Sequence, residues 1–259
     1  MNFLQTLRAS IVFYTCIPLG GDRELDFRGI AVYAPLVGVM IGGILGGGDY
    51  LLAILSSSKN NEIALLRACL VILAGVWLTG GLHLDGAIDT ADGLAVTDPE
   101  RRLQVMADST TGAYGVIAAI AILLIKISAL LSIPDARIWV LMSVSAWGRW
   151  GQLYEIEAYP YLKANGKGKF HQADIQTWQV WLVWFLLISV SLGLGFVFDR
   201  MQFAIAITAL GFSFAWATGA WFNRQFGGHT GDTYGATVEW TEALTLAMIA
   251  LFTAPRFTL

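Results

Sequence analysis

The chain has 259 residues, 56% of them hydrophobic and only 14% charged, with a mean hydropathy of +0.62. Soluble domains usually carry about 25% charged residues, so the composition excludes an ordinary soluble domain and points to one integral membrane domain over 1–259. The net charge of −3 gives no reason to expect nucleic acid or an acidic partner; membrane lipids are the expected surroundings, and a homo-oligomer stays open.

A spanning helix needs about 20 mostly apolar residues. Residues 3–17 are too interrupted for that and are expected to lie in the membrane interface. Arg8 breaks this first apolar stretch and no small-residue cleavage site follows, so a secretory signal peptide is not expected. Seven later stretches qualify: 29–55, 63–82, 113–133, 137–158, 177–198, 201–222 and 237–254. The predicted fold is therefore an all-α, polytopic bundle with about seven transmembrane helices. The first long span, rich in glycine ("GVMIGGILGGG"), allows a kink or tilt and close helix packing. Cys16 and Cys69 are not expected to form a structural disulfide.

With seven spans, Arg8, Arg23, Arg28, Arg101, Arg102, Lys163, Lys167, Lys169 and Arg224 share one side. The other side holds Lys59, Arg137, Arg200 and Arg256, plus Arg67 if its helix starts late. Positive charge favours the cytoplasmic side. The polar clusters are thus expected to face the cytoplasm.

The stretch "GGLHLDGAIDTADGL" follows an apolar run and sets Asp85, Asp89 and Asp92 at i, i+4 and i+7. On a helix these fall within an arc of about 60°, with His83 on the opposite side. Like charges on one face repel unless a cation lies between them. Carboxylates with room for water suit Mg²⁺, which leaves coordination positions for substrate phosphates. Gly86 and Gly93 would let a phosphate-bearing ligand approach the backbone. The following "MADSTTGAYG" adds Asp108, read either as a cap for the helix starting near Gly112 or as a further metal ligand or base.

Further along, Arg149 and Lys126 sit in the middle of their spans, where cations pair with acids or face an aqueous cavity. Arg149 is a candidate for phosphate contact. The segment "YLKANGKGKFHQAD" carries three lysines and His171 that suit substrate phosphates, although a basic loop is ordinary in a membrane protein. "QFGGHTGDTYGATVEW" places His229, Thr230 and Asp232 in a glycine-rich turn before the last span. Such a turn either caps the helix or holds phosphate on its N–H groups. Glu239, an acid inside a span, is expected to be functional. From the residues alone, the chemistry is that of a metal-dependent transferase using a diphosphate-bearing substrate.

"TGGLHLDGAIDTADGL", "DSTTGAYG" and "GGHTGDTYGATVE", with "FYTCIPLG" and "RGIAVYAPLVG" near the start, resemble the cobalamin synthase family, the adenosylcobinamide-GDP ribazoletransferases. The resemblance covers most of the chain. It implies a Mg²⁺-dependent late step of cobalamin assembly. In that step α-ribazole, or its 5′-phosphate, attacks adenosylcobinamide-GDP and GMP leaves. On this reading Asp85, Asp89, Asp92 and Asp108 hold metal, and His83, Asp92 and Asp108 are the catalytic candidates. Gly86, Gly93, Arg149, Lys167, His229, Thr230 and Asp232 bind substrate, and the identity of the general base stays open. A CDP-alcohol phosphotransferase shares "DTADG" but would continue Ala-Arg, where 94–97 read Leu-Ala-Val-Thr. A polyprenyl transferase spaces its aspartates differently, and a cation transporter would place its acids mid-span on facing helices.

Overall fold

The computed structural model describes residues 3–19, 25–55, 63–163 and 175–253. Among them run ten α-helices: α1 (Phe3–Tyr14), α2 (Ala34–Leu55), α3 (Ala64–Leu78), α4 (Leu82–Ala95), α5 (Pro99–Val105), α6 (Ala113–Ser132), α7 (Arg137–Ala158), α8 (Thr177–Val197), α9 (Met201–Phe226) and α10 (Gly231–Thr253). A short 3-10 turn, Ile30–Tyr33, leads into α2. The protein is a polytopic helical bundle.

Five helical segments are long and apolar enough to cross a membrane: Ile30–Leu55, α6, α8, α9 and α10. Two of the seven expected stretches do not pass this test of length and composition on their own. α3 has only 15 residues, about 22 Å at the helical rise, which is short of the roughly 30 Å hydrocarbon core. It then bends by 89° into α4, and only as a bent pair do the two qualify as a sixth span. α7 is long enough at 22 residues but is not apolar enough, because it carries Arg149, Gln152 and Glu155. Every residue from Val144 to Leu153 is buried. Its neighbours shield α7 from lipid, so its side chains can be polar where they find partners within the bundle.

The glycines of α2 explain how α7 comes to be so enclosed. Gly38, Gly42 and Gly46 form one stripe. A Cβ on any of them would lie under 3.0 Å from the α7 backbone, near Ser145, Leu141 and Ile138 respectively. Close backbone approach of this kind is the main attraction open to helices in lipid, where no hydrophobic force draws them together. At the end of α2 the Asp49 carboxylate meets Arg67 of α3 at 2.8 Å and Arg137 of α7 at 3.1 Å, tying three helices. α1 docks on the 3-10 turn through Ser10, whose hydroxyl donates to the Ile30 carbonyl. Both cysteines are free.

Candidate functional site

The bend between α3 and α4 is built from Gly80 and Gly81, with φ of 62° and 72°, a region that side-chain-bearing residues enter at a cost. It turns α4 across the end of the bundle. Along α4, Asp85 is exposed, Asp89 is half-buried and Asp92 is buried. The carboxylates of Asp85 and Asp89 make no hydrogen bond or ion pair to any described residue.

α4 lies against the first turns of α10 through facing glycines. A Cβ on Gly86 would sit 2.6 Å from the Asp232 carbonyl oxygen, and one on Gly235 would sit 2.9 Å from that of His83. This contact brings Asp232 beside Asp85 and Asp89. Asp89 feels the charges of Asp85, Asp232 and Asp92, and that of Lys163, which opposes them. Lys163 pairs with Asp232 at 2.8 Å. Gly86 is thus spent on helix contact, correcting its expected role in substrate approach. Gly93 is likewise buried, against Met106.

Asp92 has a different task from its two neighbours. Its carboxylate accepts the N–H of Gly112 at 2.7 Å and that of Gly115 at 2.8 Å, capping the N-terminus of α6, where negative charge is stabilised. The structure thus gives Asp92 a capping role beside the metal and catalytic roles expected of it. Gly112 and Gly115 lack side chains because a Cβ on either would meet the Asp92 carboxylate at 2.5 Å. Asp92→Ala is expected to cost about 2 kcal/mol, read as a lower unfolding midpoint in detergent. A midpoint equal to wild type would remove the cap assignment. Asp108, the other candidate cap, is exposed and accepts the N–H of Thr110 at 2.9 Å in a local turn. That hydrogen bond holds its carboxyl below the usual carboxylate range, making it a weaker proton acceptor.

Four other candidates lie inside the protein. His83 is buried and stacks on Tyr14, with ring centroids 6.1 Å apart, behind α4 and not on its acidic face. Arg149 donates to Glu242 at 2.9 Å. Glu242 also meets Lys126 at 2.7 Å, and Lys126 meets Glu239 at 2.6 Å. Arg149, expected to contact phosphate, is here part of a buried quartet of two cations and two carboxylates. A cavity of about 40 Å³ adjoins it, enough for water at a polar site. Thr230 caps α10: its hydroxyl accepts the N–H groups of Asp232 and Thr233, while the Thr233 hydroxyl accepts that of Thr230. With these donors taken, the turn is the cap that the sequence left as one alternative.

His229 is fully buried between Tyr159 and Tyr234, with centroids 5.1 and 5.5 Å away. Its Nδ1 lies 3.1 Å from the Thr233 hydroxyl and 3.4 Å from the buried Glu155. Burial lowers its pKa to about 4, so the ring is neutral near pH 7. His229 and Thr230 stand behind the acidic rim and support Asp232 from within. Lys167 and His171 lie outside the described residues.

Sequence reasoning missed Glu242, Glu155 and the particular part of Lys163. Glu242 was readable as a second intramembrane acid three residues after Glu239. Nothing local marks the other two.

Among the described residues, no three His, Cys, Asp or Glu side chains converge closely enough to enclose a metal by themselves. The donor set fits a hard divalent cation nonetheless. Mg²⁺ usually takes one or two protein carboxylates and keeps its other positions for water and phosphate. Asp85 and Asp89 carry oxygens of that kind, without a hydrogen bond or ion pair among the described residues, and Asp232 lies alongside.

The sequence profile of the cobalamin-5-phosphate synthase family matches residues 6–250. An adenosylcobinamide-GDP ribazoletransferase of Trichormus variabilis is 50% identical over 254 residues, 96% of this chain and 98% of that protein. One from Synechococcus elongatus is 48% identical, over 92% and 93% of the two chains. Another from Prochlorococcus marinus is 35% identical, over 96% of each. No solved structure matches the chain. The similarity runs through every helix that frames the acidic rim, and the chain belongs to the cobalamin-5-phosphate synthase family.

Proposed function

We propose that this protein joins adenosylcobinamide-GDP to α-ribazole, or to its 5′-phosphate, and releases GMP. The carrying observation is the pair of α4 carboxylates, Asp85 and Asp89, which have no hydrogen bond or ion pair among the described residues and are held beside Asp232 by the glycine-mediated contact of α4 with α10. The family and the names of the relatives support the reading. In the reaction a ribose hydroxyl oxygen of α-ribazole bonds to the corrinoid-side phosphorus of the diphosphate. The bond from that phosphorus to the bridging oxygen breaks, GMP leaves with the bridging oxygen, and the hydroxyl proton passes to a carboxylate or water. Asp85 and Asp89, assisted by Asp232, would hold Mg²⁺, whose chemistry is to neutralise diphosphate oxygens and make the hydroxyl more acidic. The capped end of α10 fixes the position of Asp232.

Purified protein in detergent or liposomes, given adenosylcobinamide-GDP and α-ribazole 5′-phosphate, should release GMP and a matching complete corrinoid. Both should be lost with EDTA and regained with Mg²⁺. No corrinoid product from well-folded protein would end this reading of the substrates.

The proposed setting is the bacterial inner membrane with the rim facing the cytoplasm, supported by the Lys/Arg asymmetry of the sequence when α7 and the bent α3–α4 pair are counted as crossings beside the other five. In that arrangement Thr97→Cys, in the exposed turn after α4, should resist an impermeant thiol reagent in intact cells and react in inverted vesicles. Labelling from outside intact cells would reverse the orientation.

A further inference from the structure

Lys163 sits in the acidic rim because the backbone puts it there. It follows α7 by five residues, and the segment before it is fastened to the turn ahead of α10. The Leu162 N–H donates to the His229 carbonyl, and the His229 N–H donates to the Pro160 carbonyl, both at 2.8 Å. Tyr161 and His229 thus form an isolated parallel bridge. From this anchor the ammonium reaches Asp232, while its side chain remains 32% exposed. It also opposes the carboxylates around Asp89.

Among the described residues, Asp85, Asp89, Asp92 and Asp232 place carboxylates around Asp89 and Lys163 alone opposes them, so negative charge is in excess and attracts a divalent cation. Such a cation competes with the ammonium for Asp232. An ion pair this exposed contributes little to stability, so its exchange is easy. The displaced ammonium, tethered at the rim, is then beside the substrate's diphosphate, where a charge-assisted hydrogen bond is available.

We propose that Lys163 is an exchange cation: it occupies Asp232 in the empty protein and passes to a diphosphate oxygen of the substrate when a divalent cation binds. This rests on the metal-dependent transferase reading and adds a phosphate-binding residue to it. Lys163 has opposite effects on the two ligands, which separates this role from a structural one.

The test uses the purified full chain, wild type and with Lys163→Met, Lys163→Arg or Asp89→Asn. Mn²⁺ binding without nucleotide is followed by electron paramagnetic resonance, and GDP binding at saturating Mg²⁺ by equilibrium dialysis. Lys163→Met should bind Mn²⁺ about threefold more tightly, having lost a competing positive charge, and GDP about tenfold more weakly, equivalent to about 1.4 kcal/mol. Lys163→Arg should restore most of the GDP affinity. Unchanged GDP affinity in Lys163→Met would overturn the proposal, as would a parallel loss of both ligands, the mark of a structural lysine. Wild-type Mn²⁺ binding that Asp89→Asn abolishes would then leave the metal reading standing. Absence of Mn²⁺ binding in the wild type would overturn both.

Discussion

Asp89→Asn is expected to lower turnover by about 10³-fold or more while the protein still inserts and unfolds no lower than wild type. The two halves have separate physical causes. Asp89 makes no hydrogen bond or ion pair to a described residue, so the isosteric amide deprives no structural partner. It also removes a negative charge from among Asp85, Asp232 and Asp92, which relieves repulsion in the empty protein. The proposed cation site, however, loses a charged oxygen, and an amide is a poor substitute for a carboxylate toward Mg²⁺. GMP release and the unfolding midpoint, measured on the same preparation, check both halves. Activity near wild type would sink the metal assignment, and a large fall in midpoint would show that Asp89 is structural.

Glu242→Leu is expected to act in the opposite way, by destabilising the bundle by about 3–5 kcal/mol. Glu242 is the link in the buried quartet, meeting Lys126 at 2.7 Å and Arg149 at 2.9 Å. Without it, Arg149 loses its carboxylate partner and Lys126 keeps only Glu239. The cost is that of an uncompensated buried charge. Removing Lys126 as well leaves Arg149 and Glu239, one charge of each sign, so Lys126→Met/Glu242→Leu should cost less than the sum of the single changes. Unfolding midpoints and membrane yields of the three variants provide the check. Additive losses would show that the quartet is not energetically coupled.

The helical class, the membrane character and the acidic face of α4 were legible because each depends on local composition or on 3.6-residue periodicity. The roles of individual residues were less legible because they depend on contacts distant in sequence. Asp92 shares the i, i+4, i+7 pattern of Asp85 and Asp89, yet it caps a helix whose bonded N–H groups lie 20 and 23 residues later. Glycine is ambiguous in the same way. It permits a ligand to approach or a helix to approach, and at Gly86 the occupant is the backbone of Asp232.

Two of the expected spans stand apart from the other five for another reason. Hydropathy treats each helix as though lipid surrounded it, whereas α7 is buried among other helices and α3 ends early at a bend. Glu155 has no local signature, and Lys163 read only as one of three lysines in a basic loop. One sits in the interior of α7, and the other matters only because the Tyr161–His229 bridge carries it to α10.

The buried quartet also has an electrical consequence. A transmembrane voltage acts on net charge, at about 2.3 kcal/mol per elementary charge per 100 mV. Lys126, Arg149, Glu239 and Glu242 sum to zero, so an energised membrane exerts no net pull on the group as a unit. The quartet therefore supplies no net gating charge to the helices it ties together.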